Sequence, residues 1–158
     1  MNNIQLNHTE LVTMKNIFNT VLNSRVSLKT FKKIKKYNDA LEKGVVEFEE
    51  MRAALQKKYA KLDENGKIVT QKTEQGQEIV FDDEEAKNQY VISVNELINE
   101  PENVEFGVEL SMDELSEVED LKLTGNEFYL LETFFTVVNS EFNSFKEYVQ
   151  QKVLVANS

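Results

Sequence analysis

Residues 28–62 constrain this chain more than any other stretch. Taken at spacings of three and four they give Phe31, Ile34, Asn38, Leu41, Val45, Phe48, Arg52, Leu55, Tyr59 and Leu62. One register, Ile34, Leu41, Phe48, Leu55 and Leu62, is apolar at every heptad. The other alternates, with Phe31, Val45 and Tyr59 apolar and Asn38 and Arg52 polar. This pattern predicts a long amphipathic helix with a coiled-coil-like seam, roughly 50 Å long at ~1.5 Å per residue. Gly44 lies inside it at a cost of ~1 kcal/mol relative to alanine. A kink, or close approach by a neighbouring element, would account for that residue. Asn38 and Arg52 either set register or partner number, or mark where the seam runs past the edge of what it packs on.

Charge divides the chain. Residues 1–76 carry nine acids and fourteen bases, whereas residues 77–158 carry nineteen acids and four bases, within a total of -10. Lys29, Lys32, Lys33, Lys35 and Lys36 crowd the first turns of the long helix, where its dipole disfavours cations. They can form a solvated face, a counterpart for the chain's own acidic half, or a nucleic-acid contact. With no arginine among them and only Phe31 and Tyr37 as nearby aromatics, nucleic acid is the least favoured of the three. Residues 78–120 hold fifteen acids against one base, Lys87. An acidic surface of that kind can compete for a basic groove on a partner.

Other elements follow from local signals. Asn7 or Thr9 caps a first helix whose face is Leu11, Met14, Phe18, Val21 and Leu22. Ser27 caps the long helix after a short break, which suggests a helical hairpin. Asp63-Glu64-Asn65-Gly66 is a stop and turn signal. It precedes β-favouring runs at 67–70 and 78–81, so a protruding β-hairpin is expected over 63–82. Asp82-Asp83-Glu84-Glu85 reads as the capped start of a third helix rather than a metal site. That helix carries Ala86, Tyr90, Val94, Leu97 and Ile98, ends before Pro101, and is expected to fold back on the long helix. Residues 104–110 alternate as one strand. Ser111 and Glu114 form a capping box for a short helix, and Thr124 and Glu127 form another. The second box opens a last helix expected to run to about Val153, with its seam at Phe128, Leu131, Phe135, Val138, Phe142, Phe145 and Val149. Leu130, Phe134 and Val137 widen that seam at its start. Beyond Val138 it narrows, leaving that end to the chain's own core, a partner or a second copy.

Chemistry is excluded more readily than assigned. The chain has no cysteine, which excludes disulfides and thiolate sites, and its one histidine, His8, lies among polar neighbours ahead of the first helix, which argues against a histidine-rich metal site or a triad around a central histidine base. No phosphate-binding glycine loop, metalloprotease HExxH or nucleophile elbow is present. The turn at 63–66 lacks the acid an EF-hand requires, since Lys61 stands there. No cofactor is expected and no enzyme is predicted. No apolar run approaches the ~20 residues of a membrane span, and the N-terminal residues lack a signal-peptide layout.

The order of these features carries a resemblance. A helical pair ending in Lys61-Leu62-Asp63-Glu64-Asn65-Gly66-Lys67, a short hairpin, an acidic helix, a strand at 104–110 and a Leu-rich close resemble the bacteriophage family of unknown function DUF1617. The similarity covers about residues 10–135, and the Phe-rich C-terminal helix departs from it. It implies phage origin, with the host cytoplasm or the virion as the location, and supplies no catalytic residues. The expectation is therefore one mainly α (α+β) domain over 1–158, with long antiparallel helices forming a helical hairpin or bundle. A small β-hairpin and one further short strand complete it. The expected function is non-enzymatic protein–protein contact, as an acidic inhibitor of a host nucleic-acid-handling or defence system. The alternative is a virion structural or assembly component. Candidate contact residues are the five lysines together with Asp113, Glu114, Glu117, Glu119 and Asp120. A protein partner, from host or phage, and self-association are both compatible with the seams.

Overall fold

Short polar caps divide the chain into helices. In the computed structural model, which describes residues 2–158, all six helices begin on Asn, Ser, Asp or Thr. The order is β1 (Asn3–Leu6), α1 (His8–Leu22), α2 (Leu28–Tyr59), β2 (Thr70–Thr73), β3 (Gly76–Ile79), α3 (Glu84–Asn99), β4 (Glu102–Glu105), α4 (Met112–Ser116), α5 (Gly125–Val138) and α6 (Phe145–Ala156). The fold is mainly helical with two antiparallel two-stranded sheets, β1–β4 and β2–β3. Asn7 is the α1 cap: its Oδ1 accepts from the Glu10 amide at 3.0 Å, and Glu10 Oε2 accepts from the Asn7 amide at 2.9 Å. Ser27 Oγ accepts from the Thr30 amide at the head of α2. Asp83 caps α3, and the boxes at Ser111 and Thr124 form at α4 and α5.

The chain divides into two compact units, Met1–Val45 with Pro101–Ser158, and Val46–Glu100. The first unit has an aromatic core built around Tyr37. Its ring stacks on Phe106 at 4.1 Å between centroids and on Phe18 at 5.6 Å, and it meets Phe134 edge-on at 6.2 Å. The phenol donates to the Val108 carbonyl at 2.9 Å, which satisfies its polar end. Burial, opposed by a hydrogen bond to the Leu110 backbone, pushes its pKa up to about 12. Ile4, Leu6, Leu11, Met14, Ile34, Leu41, Leu110, Leu131 and Val138 close around this cluster. Along α1, Leu11 lies against Gly44, Lys15 pairs with Glu42, and Phe18 stacks on Tyr37. A Cβ at Gly44 would lie 3.0 Å from Leu11 Cδ2, so close approach explains this glycine.

The second unit has little that is fully enclosed. Of its apolar side chains only Phe48 and Ala60 are buried, and α3 has none. After Tyr59 the backbone extends: the Lys61 amide donates to the Val80 carbonyl, and the Lys61 carbonyl accepts from Val69, each at 2.9 Å. These bonds end the helix three residues before the expected Leu62. Asp63 Oδ1 accepts from the Asn65 and Lys67 amides, and Gly66 supplies the left-handed backbone (φ 75°) that the turn requires. Phe81 packs on Tyr90, and Gln56 donates to the Tyr90 hydroxyl at 3.3 Å, bringing α3 to the last turns of α2.

Several expectations need correction. Two further strands exist rather than one: β4 begins at Glu102, ahead of the expected 104–110 run, and needs β1 as its partner, pairing Ile4 with Val104. The hairpin strands lie nearer the turn than the expected runs 67–70 and 78–81, at 70–73 and 76–79, because the 68–69 and 80–81 segments bond to the chain leaving α2. The expected last helix is two. It breaks over 139–144, where Ser140 Oγ accepts from the Phe142 amide and Ser144 caps α6. Phe31, expected in the seam, is 38% exposed; Tyr37, one position off it, is fully buried.

Candidate functional site

Three surfaces bear on function. The first joins both groups of charged residues singled out in the sequence. Lys33 Nζ lies 2.5 Å from Glu114 Oε1, and Arg25 Nε lies 3.7 Å from Asp120 Oδ2. Lys35 pairs within its own helix with Asp39. The hydrogen bond from Lys33, aided by the Ser111 amide and the nearby Lys29 charge, holds the Glu114 carboxyl below its usual pKa against the opposing effect of burial. A short backbone bridge between Arg25 and Glu119 brings the two segments together, and Asp120 adopts a left-handed conformation (φ 62°) there. Glu117 and Glu119 line a cleft of about 300 Å³ with Arg25, Ser27, Thr30 and Glu114. Asp113 is exposed in the first turn of α4, favourably placed for the helix dipole, and Lys32 and Lys36 are exposed on α2. This surface therefore has mixed sign: cations of the chain itself answer part of the acidic cluster.

The second surface is in the 46–100 unit. Val46, Met51, Leu62, Val91 and Ile92 are exposed in it, as are the acids Asp82, Asp83, Glu84 and Glu85. The unit has thirteen acids against seven bases. Asp83 Oδ1 is engaged with the Ala86 amide at the α3 cap, as the dipole and orphan amides require. No group of three or more His, Asp or Glu side chains is arranged to hold a metal ion among the described residues. No helix among them is long and apolar enough to cross a membrane.

The third surface lies at the end of the seam beyond Val138, and its groove was not foreseen in the sequence. Residues of α1, α5 and α6 line an apolar groove of about 710 Å³; its walls include Met14, Tyr129, Leu130, Tyr148, Val149 and Val153. The groove exists because α6 is a separate helix. Its start is held by the Gln5 amide donating to the Asn143 carbonyl at 2.6 Å, while its later turns stay open, with Val149 53% and Val153 52% exposed. The signal for it is Ser144-Phe145-Lys146-Glu147, a serine three residues before a glutamate. Ser144 Oγ accepts from the Glu147 amide, and Glu147 Oε2 accepts from the Asn143 amide. The continuous apolar seam across 128–149 masked that signal.

No protein-family model, curated protein or solved structure matches the chain.

Proposed function

We propose that the protein is non-enzymatic and works by protein–protein contact through the 46–100 unit, as an acidic inhibitor of a host nucleic-acid-handling or defence protein. Bacteriophage origin belongs to the same proposal and rests on the resemblance carried by the order of elements. The observation that carries the reading is the open make-up of this unit: it exposes apolar side chains on α2 and α3 and carries thirteen acids against seven bases. Apolar patches of this kind give binding energy, and the charge around them gives orientation and speed of encounter. The frame for it is an antiparallel helical hairpin of α1 and α2, a reading supported by Leu11 meeting Gly44, Lys15 meeting Glu42 and Phe18 meeting Tyr37 in reversed order.

Within this proposal the contact moves away from Asp113, Glu114, Glu117, Glu119 and Asp120. Glu114 and Asp120 already face Lys33 and Arg25, which weakens that cluster as a phosphate mimic. A pull-down from bacterial host lysate tests the reading. The wild-type chain is expected to retain a discrete partner that is lost when Asp82, Glu84 and Glu85 are changed to lysine. Recovery of nothing above background would end the proposal. The alternative, a virion structural or assembly component, draws support from the exposed apolar turns of α6. Mass spectrometry of purified particles decides it, because absence from the particle removes a structural role there.

A further inference from the structure

The groove between α1, α5 and α6 poses a separate question, independent of the 46–100 unit and of what that unit binds. Phe145, Tyr148, Val149, Lys152, Val153 and Ala156 recur at three and four residues along α6 and face it. None of them is fully buried, although this is the apolar stripe of an amphipathic helix. A stripe that remains half-wet inside a unit with a closed aromatic core is a surface lacking its cover.

Charge selects the cover. Copies of a chain with net charge -10 repel one another over most of their surface. Residues 121–158 are the exception among the acidic second half, with four acids against three bases. The groove itself carries both signs: Glu10 on α1 and Lys152 on α6 are among its lining, and Glu132 adds a negative field at Lys152. A patch with both signs is complementary to itself under two-fold rotation, because each cation can meet the other copy's anion. A uniformly basic or acidic partner would gain from one sign and lose from the other.

We infer that the occupant is a second copy of this chain. The α6 helices pack across a two-fold axis, Val149 and Val153 of each copy enter the groove of the other, and Lys152 faces the opposite Glu10. The contact is isologous and closes at two copies. It hides the apolar turns of α6.

Sedimentation velocity on the full chain over a concentration series tests this. The wild type is expected to pass from monomer to dimer, and Val149→Glu with Val153→Glu to weaken association at least about tenfold. Because both side chains are exposed, circular dichroism should show an unchanged helical fold in that variant. The absence of cysteine permits a second measurement. Val153→Cys should give a disulfide-linked dimer on mild oxidation, whereas Thr73→Cys, on the hairpin, should not. A wild type that stays monomeric throughout would overturn the inference. So would a dimer indifferent to the glutamates, which would mean another face, or an apolar small-molecule adduct on the monomer in native mass spectrometry. Both glutamates lie outside residues 46–100, so loss of the dimer with an intact lysate partner, or the reverse, separates this inference from the proposed function.

Discussion

The two units use similar amino acids to different ends. In the first, buried aromatic and aliphatic side chains from β1, α1, α2, β4, α4 and α5 form one core with Tyr37, and each removed from water contributes roughly 1.5–3 kcal/mol. In the second, α3 has the same three-four spacing of apolar residues as α1, yet no residue of α3 is fully buried, whereas five of α1 are. Periodicity thus defines a face, and burial requires enough surrounding elements to enclose it. The first unit has strands and helices on several sides of its core; the second has half of one long helix, one shorter helix and a hairpin. Its order depends more on caps and turns, such as Asp83 at α3 and Asp63 at the hairpin, each worth on the order of 1 kcal/mol.

Truncation in the two units should expose this contrast most strongly. Phe134→Ala, in the core, is expected to lower unfolding free energy by about 4 kcal/mol, against about 1 kcal/mol for the half-buried Ile98→Ala. Equal losses in denaturant titrations would erase the distinction. Gly44→Val comes next, at about 2 kcal/mol of overpacking against Leu11, while Ala54→Val further along the same helix, on an exposed site, should cost about 0.5 kcal/mol or less.

Alkaline titration gives a sharper reading of the first core. Tyr37 ionises at about 12 in the fold against 10.0 ordinarily. Its contribution is complete below about pH 10 and declines as pH rises toward 12, because the unfolded chain ionises first. Phenolate absorbance should show one late tyrosine, absent in Tyr37→Phe. Asn38 makes the opposite kind of test: its Oδ1 is buried without a hydrogen-bond partner. Asn38→Leu is therefore expected to raise stability by about 1 kcal/mol, and a loss would show that the amide serves the fold. Smallest is Glu114→Gln, at about 0.5–1 kcal/mol through the Lys33 pair. The Glu114 carboxyl is held low, so this difference should be present near neutral pH and shrink as acidification protonates it.

Much of the framework was legible. Asn7, Ser27, Asp83, Ser111 and Thr124 each announced a helix start, because capping chemistry involves only residues a few positions apart. The turn at Gly66 was legible for the same local reason, whereas Gly44 stayed open between a kink and a close approach, which Leu11 of α1 decides. The β1 strand was missed although Ile4 and Leu6 alternate, because four residues make a strand only when a partner nearly a hundred residues away lies beside them. In the sequence Tyr37 stands out only as an aromatic near the lysines. Its place at the centre of the core follows from Phe18, Phe106 and Phe134, which come from three distant segments.

For the stretch at 28–62, the sequence by itself determined that a long helix forms, where it is capped and which stripe is apolar. These depend on spacing and on hydrogen bonds within a few residues. Tertiary structure decided how that stripe is used: buried at Ile34, Leu41 and Phe48, half-buried at Leu55 and Tyr59, and exposed at Leu62. It also decided that Lys33 meets Glu114 and that α6 leaves a groove rather than completing the core. Enclosure and charge pairing depend on which distant segments arrive, and no local pattern encodes that.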